Sequence, residues 1–137
     1  RDLHYPLRRQ RQMCIRDSSS VIDGGFVTYS NQAKMSMLSV KLEQLDQYGA
    51  VSEEVARSMA EGALGSSAAD IAIACTGVAG PGGATNTKPV GLVHLSCALK
   101  KHPTLHKSCN FSGERSTIRL ATVKAAFELI EAQLNII

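Results

Sequence analysis

Two short apolar runs, Ile71–Cys75 and Val90–Leu99, stand on either side of a Gly- and Pro-rich stretch, Thr76–Pro89. This arrangement constrains the fold more than any other feature of the chain. A continuous apolar run of such length, bounded by turn residues, reads as a strand covered on both faces. Such strands need helices above and below them, so the chain has to build layers.

The helices are at hand. Ser52 reads as an N-cap, with Glu53 and Glu54 in the first turn where carboxylates favour the helix dipole. Val55, Met59 and Ala63 then recur every four residues as a buried stripe, and Gly65 ends the helix. A long last helix is predicted over Arg115–Leu134. Ile118, Ala121, Ala125 and Leu129 share one face, and Val123, Phe127, Ile130 and Leu134 widen it, so this helix is expected to be well buried. Shorter helices are expected from a Ser30 or Asn31 cap to Leu38, and over Leu42–Tyr48 before Gly49. Val21–Tyr29 has the composition of a strand. Leu105–Phe111 alternates, which suits a strand nearer an edge, antiparallel to the run before it. The expectation is a layered α/β domain with a mixed sheet.

Charge is distributed unevenly. The formal net charge of +3 over 137 residues resides in residues 1–18, where Arg1, Arg8, Arg9, Arg11 and Arg16 outnumber Asp2 and Asp17. The remainder is neutral, and aromatic residues make up only 4% of the chain. Neither a phosphate-tracking surface nor a base-stacking platform is indicated, so no nucleic-acid partner is expected. No apolar run reaches the length of a membrane span, and no partner membrane is expected. The chain has no apolar leader at its start, and a cytoplasmic location is expected. Cys14, Cys75, Cys97 and Cys109 form no C-x-x-C pair, and the last three sit in apolar text as small buried thiols. His102 and His106 have a finger-like spacing, but Pro103 intervenes and no Cys pair precedes them, so no metal is expected. Residues 1–18 show no apolar period. Met13–Asp17 matches the translation of a transposase mosaic-end adapter used in preparing DNA libraries, so residues 1–18 are expected to be non-native and residues 19–137 to be the domain.

Three places can carry chemistry. Thr76, Gly77, Gly80, Pro81, Gly82 and Gly83 follow a buried strand, where open α/β sheets bind ligands. Glycines there let backbone N–H groups face an anion. The bland alternative is a tight connection that needs glycine conformers. Tyr29, Ser30, Asn31 and Lys34 span a strand end and the first turn of a helix. A partly desolvated Lys34 can act as a base, although most lysines are solvated surface groups. Arg115 opens the last helix and can meet phosphate there, or it can pair with Glu114 or water.

Four blocks then occur in order: GGFVTYSNQAK, YGAVSEEVARSMAEGA, TGVAGPGG with KPVG, and SGER before the final helix. Together they resemble the CinA C-terminal domain over nearly all of residues 19–137. The resemblance implies a three-layer α/β/α fold with a mixed sheet. It implies a nicotinamide mononucleotide amidohydrolase, which releases ammonia and nicotinate mononucleotide, needs no cofactor and forms a homodimer. It implies a serine nucleophile with Lys34 as its base and Thr76 near the reacting group. Tyr29, Asn31, Gly77, Gly80, Pro81 and Arg115 would contact the nucleotide, with Arg115 on the phosphate. The family's nucleophile motif, A-E-S-C-T-G-G after the first strand, has no counterpart here; Cys75-Thr76-Gly77 matches it only superficially. The expectation is therefore a domain without the first strand and helix of the family fold, with an open sheet edge and no activity of its own. The alternative is a non-catalytic nucleotide-binding or competence/damage-associated interaction module.

Overall fold

The structure, a computed structural model, describes residues 21–135. The adapter-like segment, His4, Cys14 and the Ser19–Ser20 pair lie outside the described residues. The elements run α1 (Asn31–Leu38), α2 (Leu42–Tyr48), α3 (Glu53–Gly65), β1 (Ile71–Gly77), β2 (Leu92–Leu99), β3 (Leu105–Asn110) and α4 (Arg115–Leu134).

The caps explain the helix starts. The Ser30 hydroxyl accepts the Ala33 N–H at 3.0 Å, and the Ser52 hydroxyl accepts the Val55 N–H at 3.3 Å. Each satisfies a donor that has no partner inside its helix. Gly49 takes φ 80° after α2, where a side chain would be strained.

The strands form one sheet in the order β1-β2-β3. Every described pairing is antiparallel, with Ala74 opposite Ser96 and Leu95 opposite Lys107. The sheet expected to be mixed is thus a meander among the described residues. Alternation sorts the strand side chains into two cores. Ala74 and Ala98 pack with Leu38, Val40, Leu45, Val55 and Met59 from α1 to α3. Ile73, Val93, Leu95 and Cys97 pack with Ile118, Ala125 and Leu129 of α4. The result is the layered α/β architecture, with α1–α3 on one face of the sheet and α4 on the other. Gln133, at the end of α4, is fully buried. Its amide Nε2 donates to the carbonyls of Cys97 at 2.8 Å and Pro103 at 2.9 Å. No helix among the described residues is long and apolar enough to cross a membrane.

Four expectations need correction. Val21–Tyr29 is not a strand, because strand-forming residues make a strand only beside a hydrogen-bonded neighbour, and this segment has none among the described residues. Val27 and Tyr29 are 88% and 94% exposed. The strand boundaries also shift. β1 extends through Thr76 and Gly77, while β2 starts at Leu92, because the Gly91 N–H is drawn to the Val78 carbonyl at 2.7 Å. Helix α4 is not buried all round. It buries Ile118, Ala125, Leu129 and Gln133, whereas Leu120, Val123, Phe127 and Leu134 are exposed. One helix against one sheet buries a single stripe, and the second stripe faces outward. Finally, Cys97 is buried but Cys75 is exposed, since among the described residues β1 lies at the edge of the sheet.

Candidate functional site

Helix geometry places Lys34 and Leu38, four residues apart, on the inward face of α1. Lys34 is only 6% exposed. Its Nζ donates to the Thr28 carbonyl at 2.7 Å, and no carboxylate pairs with it among the described residues. Burial disfavours the ammonium form, which holds the amine below the ordinary lysine range. The solvated surface lysine weighed from sequence is not what the fold builds.

Thr76 lies on the same face of the sheet as Ala74, toward α1–α3. It is buried, and its Oγ1 donates to the Ala50 carbonyl at 2.8 Å. This bond ties the end of β1 to the turn before α3 and leaves the hydroxyl's lone pairs free to accept. Lys34 and Thr76 line one cavity of about 880 Å³, together with Gly77 and the exposed Tyr29. The fold therefore brings together four of the residues singled out from sequence.

The others lie elsewhere. The loop after β1 folds back on itself, with the Val78 N–H donating to the Leu92 carbonyl at 2.9 Å. A Cβ on Gly77 would stand 2.8 Å from that same oxygen, so only glycine fits there. Gly80 is buried with φ +80°. Its carbonyl accepts from Arg115 Nη1 at 2.8 Å, so Arg115 holds the loop rather than pairing with Glu114. Gly80, exposed Pro81 and Arg115 thus form a second cluster at the start of α4. Neither these three nor the exposed Asn31 line the larger cavity. The glycines serve the tight connection, and the loop is at the same time pinned to Arg115, a cation able to meet a phosphate.

One constellation was not found from sequence. His94 of β2 and His106 of β3 stack with ring centroids 5.2 Å apart. His94 Nδ1 and His106 Nε2 lie 2.9 Å apart in a hydrogen bond whose donor is set by the ring tautomers. The Glu53 carboxylate lies 3.7 Å from His106 Nδ1 and accepts from Arg57 Nε at 2.9 Å. Burial, more than any neighbouring charge, holds both imidazoles below their ordinary range. The available signal was strand parity: in the β2–β3 register both residues point to the α3 face.

A sequence model of the CinA C-terminal domain matches residues 9–134. The chain is 52% identical over 113 residues to a Caldicellulosiruptor saccharolyticus protein that carries the name competence-damage inducible protein. That match covers 82% of this chain and 27% of that protein, so the chain spans about a quarter of the length of such curated relatives. A CinA-like protein of Syntrophomonas wolfei is 46% identical over 118 residues, covering 86% of this chain and 28% of its own length. The fold superposes on the crystal structure of a competence/damage inducible protein from Agrobacterium tumefaciens with TM-score 0.82 and 50% identity, over 84% of this chain and 70% of that one. A CinA superfamily protein of Escherichia coli superposes with TM-score 0.73 and 39% identity, over 77% and 61% of the two chains.

Proposed function

Because the chain belongs to the CinA C-terminal domain family, we propose that it is the base-and-ligand part of a nicotinamide-nucleotide amidohydrolase. The reaction hydrolyses the carboxamide of nicotinamide mononucleotide. A nucleophilic oxygen adds to the carboxamide carbon, the C–N bond breaks with ammonia as the leaving group, and water completes the transfer to give nicotinate mononucleotide.

One observation carries this reading: Lys34 is a buried amine without a carboxylate partner among the described residues, in the same cavity as Thr76. A surface lysine is an ammonium at neutral pH and cannot take a proton. Burial shifts Lys34 toward the neutral amine, whose lone pair can deprotonate a hydroxyl nucleophile. Thr76 can accept the amide N–H of the substrate while its own proton stays on Ala50. Arg115 has further N–H donors beside the one on Gly80, and at the N-terminus of α4 it meets the phosphate.

The nucleophile motif of the family does not occur in the sequence, so this chain binds nucleotide without turning it over. The test is ammonia release from nicotinamide mononucleotide by the purified chain, alongside calorimetric titration with the same nucleotide. Binding that weakens in Arg115→Ala, with no ammonia, is the expected result. Ammonia release would overturn the claim of inactivity. Absence of binding would overturn the nucleotide reading and favour the second one, a competence/damage-associated interaction module, toward which the relatives' names point.

A further inference from the structure

A polar row crosses the α3 face of the sheet. Thr76 of β1 stands directly opposite His94 of β2, and Ser96 of β2 directly opposite His106 of β3. His94 and Ser96 are two residues apart, so both point to the same face. Each imidazole therefore has a hydroxyl as its direct cross-strand neighbour, within reach of an aromatic ring. Ser96 is fully buried, and its Oγ has no hydrogen-bond partner. A buried hydroxyl left unpaired is rare in folded proteins and marks a place where a donor can be received. Thr76 is also buried, and its Oγ1 donates to the Ala50 carbonyl while its lone pairs stay free. Ser108, on the other side of His94, is exposed, so water already serves it.

The pair itself counts protons. His94 Nδ1 and His106 Nε2 are 2.9 Å apart, and a hydrogen bond there needs one donor and one acceptor. With one added proton the pair still has both, and Glu53 Oε1, 3.7 Å from His106 Nδ1, balances the charge. The Arg57 hydrogen bond, first of all, holds the Glu53 carboxyl below its ordinary range, so it remains an anion there. A second proton leaves both rings as donors only, and two N–H groups then face each other. The joined geometry cannot hold both protons. Among the described residues, the other charges facing the pair are Glu54 and Arg57 of α3 and Lys88 of the loop before β2. Lys88 is held on the Tyr48 carbonyl and Arg57 on the Thr104 carbonyl, so neither cation leaves to admit the second proton.

We infer that the His94–His106 pair is a two-step proton switch that controls the Thr76 hydroxyl. With no or one added proton the rings stay joined and Thr76 Oγ1 keeps its lone pairs open to the cavity. With the second proton the rings part. His106 donates to Ser96 Oγ, and His94 donates to Thr76 Oγ1. The acid form thus fills the acceptor that the joined form leaves free. Its effect on nucleotide binding rests on the role given to Thr76 above, whereas the switch does not.

The test follows the imidazole and backbone amide nitrogens of the full chain by NMR, without nucleotide, from about pH 8 to about pH 4.5. Two coupled steps are expected at His94 and His106, separated by about one unit or more. The Thr76 amide should move with the second step and not with the first. In His106→Gln, His94 should titrate in one step. In Ser96→Ala, which fills the same buried site without the hydroxyl, the second step should move to lower pH by about half a unit or more. Independent single steps at the two rings in the parent chain would overturn the inference. So would a Thr76 amide that ignores the second step, or a Ser96→Ala protein whose second step is unmoved. Because no nucleotide enters the measurement, failure of the switch and failure of the nucleotide reading are told apart.

Discussion

Replacing Gln133 tests how the last helix is held. Its side chain is fully buried, and Nε2 donates to two carbonyls, Cys97 in β2 and Pro103 in the turn before β3. Gln133→Leu keeps the approximate volume and removes both donors. Each buried acceptor left unpaired costs about 1–3 kcal/mol. Against this, Gln133 Oε1 is itself buried with no partner, and its removal returns about 1–2 kcal/mol. Taken at mid-range, the two carbonyls lose about 4 kcal/mol and the one oxygen returns about 1.5, so the net loss is about 2.5 kcal/mol. That is a large share of the roughly 5–15 kcal/mol by which domains are stable. At about 4 °C per kcal/mol for a chain of this size, Tm falls by about 10 °C. Gln133→Glu is expected to be worse at neutral pH, since a buried carboxylate would face two carbonyl oxygens. Desolvation raises the folded-state pKa of that carboxyl, so the variant gains stability as pH falls and the group protonates. Urea denaturation of the three proteins at pH 7 and pH 5 measures this. A Gln133→Leu protein within about 0.5 kcal/mol of the parent, or a Gln133→Glu protein that weakens further at pH 5 than the parent does, would refute the reasoning.

Other outcomes follow from the same structure. Because burial holds His94 and His106 below their unfolded value of 6.5, the unfolded chain binds protons first. Their contribution to stability is complete above pH 6.5 and is lost as pH falls below it. A His94→Gln/His106→Gln protein should show a flatter urea midpoint across that window, and an unchanged slope would contradict the assignment. Gly62→Ala would stabilise an ordinary helix by up to about 1 kcal/mol. Here a Cβ would sit 1.9 Å from the Leu38 carbonyl, so α1 has to move and the change should cost about 1–3 kcal/mol, measurable by thermal melting. Burial pushes the Cys75 thiol up to about 11 despite its exposure. At pH 8 it should therefore alkylate more slowly than a free cysteine, and a faster rate would show a thiolate the surroundings do not support.

Much of this fold was legible where local chemistry decides the outcome. Ser30 and Ser52 capped helices in the expected places because a hydroxyl satisfies backbone donors two or three residues on. The hairpin of β2 and β3 was legible because turn residues and alternation are local too. Val21–Tyr29 was not, because strand identity belongs to a pair and composition describes one partner. The burial of α4 was over-read for a similar reason: apolar residues on two stripes do not say how many neighbours the helix has. Among the site residues, Lys34, Thr76, Gly77 and Tyr29 converge on one cavity, but the bond from Arg115 to Gly80 joins positions 35 apart in sequence. The two histidines depend on strand register, which no motif encodes.

The parity of β2 has a further consequence. Its odd residues belong to the α4 core and its even residues to the α3 core, so the two apolar clusters meet only through one layer of backbone. Free-energy changes add when substituted sites share no partners. Val55, on one side, and Ile118, on the other, meet this condition. The domain can therefore change one half of its interior while the other half stays in register, and sequence drift on the two sides of the sheet is expected to be uncorrelated.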